Sequence, residues 1–200
     1  MPHVSFLFRL PSKLRRRARH SRPFTMLAPS SIMCIVIATP YMIYKPPGFL
    51  IRYFQWRWPG VLWQVNTSSK TIALTIDDAP SEYTEEIIEI VKANDATATF
   101  FIGSQVPGRE ETLQDLVRNG NKLGNHAMHD EPSRSLADAT LVEQIQTVEE
   151  KLDAAYAAAG AGEVPRFFGP GSGFFSTKMR KMLGRLGYRL VLESIYPHDP

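Results

Sequence analysis

From Thr71 onward the chain alternates short apolar runs rich in β-branched and aromatic residues with longer stretches of helical periodicity, and this alternation constrains the fold more than any other feature. TIALTI, residues 71–76, reads as a buried strand. Ile87, Ile88 and Val91 follow at helical spacing, so a helix is expected from a cap at Ser81, with Thr84 as the alternative, to about Asn94. TATFFI, residues 97–102, is the next strand, and Glu110 to Asn119 is the next helix, with Leu113, Leu116 and Val117 on its apolar side. KLGNHAMH reads as a short strand running into a loop that carries His126 and His129. A longer helix is expected from about Asp138 to Ala159. RFFGPGSGFF leads from a strand into a glycine-rich loop, Ser176 caps a helix containing Met179, Met182 and Leu186, and RLVLES is one more strand. Such alternation specifies parallel strands joined by crossover helices, hence an α/β barrel or a doubly wound sheet.

Charge separates a different N-terminal region from this body. Met1 to Ile76 contains 11 Lys or Arg and no Asp or Glu, whereas the residues from Asp77 onward contain 12 against 20. Arg15, Arg16, Arg17, Arg19 and Arg22 precede a mostly apolar run, Ile32 to Tyr44, that is interrupted by Thr39 and Pro40. A helix needs roughly 18 or more apolar residues to span a bilayer, so a signal-peptide core, a short anchor, a transit segment or a basic tail is expected instead. Secretion or attachment to a membrane or cell wall follows if the segment is a signal or anchor, and a cytoplasmic location if it is not. No nucleic-acid partner is expected, because no reading module accompanies the arginines. The single cysteine, Cys34, excludes an internal disulfide framework, and no disulfide-linked partner is implied. KPPGFLIRYFQWRWPGVLWQV, residues 45–65, reads as a folded lead-in, with Trp56, Trp58 and Trp63 expected in the core. The expected organisation is thus a basic segment over 1–43, an aromatic lead-in over 44–69 and the main domain over 70–200.

The polar clusters fall just after predicted strands. Asp77 and Asp78, His126 and His129, the 169–173 loop and Asp199 all lie at expected carboxyl ends, the edge that carries chemistry in barrels and open parallel sheets alike. Two adjacent carboxylates there are costly to ionise unless a cation accompanies them. One carboxylate with two imidazoles is a common ligand set for zinc or a related divalent ion, leaving the second aspartate to act as a base.

At these residues the chain resembles a known family. TIDDAP, residues 75–80, is similar to the TFDDGP motif of the NodB-homology polysaccharide deacetylases, carbohydrate esterase family 4; NHAMHD is similar to their HxxH motif, and ATATFFI, residues 96–102, to the strand between. The lead-in from Tyr44 is similar to that of fungal chitin-deacetylase-like members. The resemblance implies a distorted (β/α) barrel, here incomplete at its C-terminus, that hydrolyses acetyl groups from N-acetylglucosamine polymers such as chitin with a divalent metal, zinc or alternatively cobalt. It makes Asp77 the general base and Asp78, His126 and His129 the metal ligands. YPHD resembles the fourth motif and makes Asp199, rather than His198, its functional residue. The third motif, RxPxG, aligns with GPGSG and gives Pro170, Gly171 and Gly173 to the substrate side, while Gly169 stands where an arginine is expected to orient the catalytic aspartate. Arg166, three positions earlier, reads as a surface cation on the opposite face, so Gly169→Arg is expected to recover activity in part. Two alternatives accompany this reading: a remnant that binds metal or carbohydrate without turnover, and a metal amidohydrolase acting on a small amide.

Overall fold

The computed structural model describes residues 22–65, 67–104, 106–129 and 131–192. Gly48–Ser194 form one compact unit, and helix α1 (Arg22–Tyr44) belongs to another. α1 exposes Ile32, Ile35, Val36 and Ile37. No described helix is long and apolar enough to cross a membrane.

The larger unit opens with α2 (Gly48–Arg57) and β1 (Val61–Leu62), then alternates β2 (Leu74–Ala79), α3 (Thr84–Ala93), β3 (Ala98–Ile102), α4 (Glu110–Arg118), β4 (Lys122–Asn125), α5 (Asp138–Ala159), β5 (Phe167–Phe168), α6 (Thr177–Arg185) and β6 (Arg189–Val191). All six strands are parallel, in the order β1-β6-β5-β4-β3-β2. Among the described residues β1 and β2 are unjoined edges, so the sheet has the strand order of a distorted barrel that is not closed.

Most elements follow from local chemistry. α5 ends where Gly160 takes the left-handed conformation, φ 65°, that a residue with a side chain resists. α6 begins at Ser176, whose hydroxyl accepts the Met179 N–H. Two boundaries differ from the sequence reading. β2 begins at Leu74 because its one neighbour among the described residues, β3, begins opposite it at Ala98; Ile72, upstream of that pairing, is 87% exposed. The following helix starts at Thr84 with Tyr83 as its N-cap, because the Ser81 hydroxyl is engaged by the Tyr83 N–H while Thr84 Oγ1 accepts from the Ser81 N–H.

Apolar burial divides into two clusters. Phe100, Ile102 and Leu123 of the sheet pack with Ile88, Leu116 and Leu152 of the helices, and Phe168 and Leu190 pack with Ile145, Met182 and Leu183. Burial of each such side chain contributes roughly 1.5–3 kcal/mol. The aromatic lead-in belongs to the second cluster: β1 pairs with β6, and Phe54 stacks on Trp58 and Trp63 with ring centroids 5.4 and 4.9 Å apart. Trp56 corrects the sequence reading, since it lies on the far side of α2 from Ile51 and is 77% exposed.

Candidate active site

β2 does not stop before its aspartates. Its pairing with β3 shifts register between Ile76 and Ala79, so Asp77 and Asp78 occupy an irregular strand end, and Asp78 adopts φ 55°. Asp tolerates that left-handed angle better than most residues. Both aspartates are exposed, and the Asp78 side chain retains 53% of its accessible surface.

On the other side of β3, His126 directly follows β4. Its backbone N–H donates to the Ile102 carbonyl at 2.9 Å, and its side chain is only 6% exposed. β2 and β4 are separated by β3, a gap of about 10 Å between backbones. Asp78 Oδ1 and His126 Nε2 nevertheless approach to 3.9 Å. Gly103 adjoins the site: a Cβ added there would lie 3.7 Å from Asp78 Oδ1 and 3.7 Å from the Ala127 carbonyl.

The loop that carries the histidines is held by amide side chains. Asn125 Oδ1 accepts the Ala127 N–H at 2.9 Å, an Asx turn that stabilises Ala127 at φ 64°. Asn125 Nδ2 donates to the Ile145 carbonyl of α5 and to the Tyr188 hydroxyl. Gln144, one turn from Leu141 on α5, accepts the Met128 N–H and donates to Glu131. The Tyr188 hydroxyl donates in turn to Glu149, which pairs with Arg166. Arg166, expected as a surface cation, is part-exposed; it is tied to Glu149 and lies over the Tyr188 ring, 5.7 Å from its centroid. Sequence reasoning missed Asn125 and Gln144 as supports. An Asx residue two positions before the turn, and a Gln between Leu141 and Ile145 on an apolar helix face, were the available signals.

The glycine-rich loop packs against this one. Gly171 donates its N–H to Ser133 Oγ at 3.0 Å, and a Cβ there would collide with the Glu131 carbonyl. Pro170 and Gly171 are buried, whereas Gly173, at φ 68°, is exposed with Ser172 and Phe174. Gly169 is also occupied space: its Cβ would lie 3.0 Å from Phe101 Cδ1 and 3.2 Å from His126 Nδ1. Even a Cβ at 169 thus requires the Phe101 ring or the imidazole to give way by a few tenths of an ångström, and an arginine brings more atoms to the same place. Asp199, with His198, lies outside the described residues.

Two of the three expected ligands come together: Asp78 Oδ1 and His126 Nε2 face each other at 3.9 Å, a carboxylate oxygen and an imidazole nitrogen of the kind that hold a divalent ion. The other ring nitrogen, buried Nδ1, has no hydrogen-bond partner, so the acceptor that usually fixes a ligating imidazole is not supplied there. His129 is exposed, and among the described residues no group of three His, Cys, Asp or Glu side chains converges as a metal cage.

Comparison with known proteins identifies the family of this chain. The profile described as polysaccharide deacetylase matches residues 64–191. A peptidoglycan-N-acetylglucosamine deacetylase of Bacillus cereus is 30% identical over 142 residues, covering 70% of this chain and 63% of its own length. A chitin deacetylase of Pestalotiopsis is 29% identical over 150 residues, covering 70% of this chain and 48% of its own. Among solved structures, a CE4 family pseudoenzyme from Bacillus anthracis superposes with a TM-score of 0.57 at 25% identity, covering 65% of this chain and 45% of its own. The chain spans about half to two thirds of the length of these relatives.

Proposed function

Since this chain belongs to the polysaccharide deacetylase family, we propose that its strand-end site performs metal-dependent hydrolysis of acetyl groups on an N-acetylglucosamine polymer of the chitin type. The observation that carries the reading is the 3.9 Å approach of Asp78 and His126 across the end of β3, with Asp77 next in the chain. Asp78, His126 and His129 are the residues that would hold zinc, or cobalt. Such an ion supplies Lewis acidity at a carbonyl oxygen and acidifies water. Asp77 accepts the proton of the water that attacks the acetamide carbon. The C–N bond then breaks, acetate leaves, and the freed amine takes up a proton. Gly173 and its exposed neighbours offer backbone to the sugar, while Pro170 and Gly171 set the loop from beneath. Asp199 belongs to the same reading through its fourth-motif position.

A second reading, an impaired family member that binds metal or carbohydrate without turnover, is favoured by Gly169, which has no side chain where the family pattern carries an arginine. One experiment separates the two: acetate release from N-acetylglucosamine oligomers with added zinc or cobalt, beside Asp77→Asn, a chelated sample and a zinc titration. Release that both controls abolish supports the deacetylase. Zinc binding without release identifies the impaired form, and release from monomeric acetamides alone points to a small-amide hydrolase.

A further inference from the structure

α2 has two apolar faces, and only one of them is used. Ile51 is buried, and Phe54 stacks against Trp58 and Trp63. On the opposite side Phe49, Tyr53 and Trp56 are 62, 51 and 77% exposed. Their spacing of four and three residues places them within about 60° of one another around the helix. Arg52 falls on one flank of this stripe and Arg57 on the other, both exposed, with the Arg57 guanidinium 5.8 Å from the centroid of the Trp58 ring. No acidic residue occurs on the helix or anywhere before Asp77. Three adjacent exposed aromatics form a patch of the kind that a soluble surface seldom leaves uncovered.

We infer that this face of α2 docks on the surface of a bilayer containing anionic lipid. Tyr and Trp rings settle at the headgroup level, and arginines on both flanks can reach lipid phosphates while their stems lie along the apolar boundary. Charge complementarity selects this occupant over a neutral glycan. Two cations with no carboxylate among them suit an anionic surface better than an uncharged sugar, and the helix's one amide, Gln55, is engaged by the Gln64 carbonyl. This inference is independent of the deacetylase reading, because the helix lies outside the catalytic motifs.

The test is sedimentation of the full chain with vesicles of phosphatidylcholine and phosphatidylserine in equal parts, with vesicles of phosphatidylcholine alone and with chitin beads. Binding should be confined to the anionic vesicles and should weaken as salt rises. Replacing both flanking arginines, Arg52→Ser with Arg57→Ser, should weaken it about thirtyfold. A second variant, Phe49→Ser with Trp56→Ser, should bind less tightly and lose the blue shift of tryptophan fluorescence that the parent shows on binding. Because all four side chains are exposed, both variants should keep the parent's circular dichroism. Equal binding by parent and both variants would assign the attraction to other basic segments and overturn the proposal, as would retention on chitin without vesicle binding.

Discussion

Asp78 projects half-exposed from an edge strand at a left-handed backbone angle, whereas His126, 3.9 Å away, is buried in a loop tied down by Asn125 and Gln144. The histidine side is built as part of the core, since its amides bond to α5 and its glycine-rich neighbour is locked beneath Glu131. The aspartate side is built as surface. A site with one fixed and one open half can change its chemistry on the open half without unfolding. Substitutions on the fixed half change stability first.

Asn125→Ala gives the sharpest test of this difference. It leaves the Ala127 N–H without its acceptor in a fully buried place and removes the bonds that tie the loop to α5 and to the Tyr188 hydroxyl, and about 3 kcal/mol should be lost in urea unfolding. An equal loss in Asp78→Asn would erase the contrast between the halves. Gly171→Ala forces a methyl group against the Glu131 carbonyl and should cost about 2 kcal/mol in the same measurement. An unchanged midpoint would show that the two loops separate freely. Asp78→Asn keeps a side chain that tolerates φ 55°, so its stability should stay within about 0.5 kcal/mol of the parent. Its zinc affinity, followed by calorimetry, should fall at least tenfold, about 1.4 kcal/mol. Unaltered zinc binding would remove Asp78 from the ligand set.

The smallest expected effect lies beneath the histidine loop, at Tyr156. Burial raises the pKa of this hydroxyl above 10.0, and the Leu123 N–H that it accepts offsets part of that rise. The folded chain therefore favours the neutral phenol. The contribution is complete below the unfolded value of about 10 and is lost as pH rises through the higher folded value. Tyr156→Phe should remove this alkaline dependence and cost about 1 kcal/mol at neutral pH, because the Leu123 N–H loses its acceptor. Parallel alkaline unfolding curves for the two proteins would contradict it.

Legibility in the sequence followed the range of the interaction. The α5 span over Asp138–Ala159 and the Ser176 cap of α6 were readable, because caps and helical periodicity act within a few residues. The start of β2 was not, because a strand exists only where a neighbour offers hydrogen bonds, and the neighbour here begins 24 residues later at Ala98. Trp56 reads like Trp58 in the sequence, yet the first sits on the solvent side of α2 and the second, just past the end of the helix, packs against the second cluster.

Sequence alone determined the class of the fold, the order of its motifs and the residue types at its strand ends, since these depend on local pattern and on chemistry carried by single side chains. Tertiary structure decided which of those residues meet. It brought Asp78 to His126 past Gly103, left His129 facing solvent, and filled the neighbourhood of Gly169 with Phe101. The physical reason is that strand order and register place residues far apart in sequence within ångströms of one another, and no local propensity specifies either.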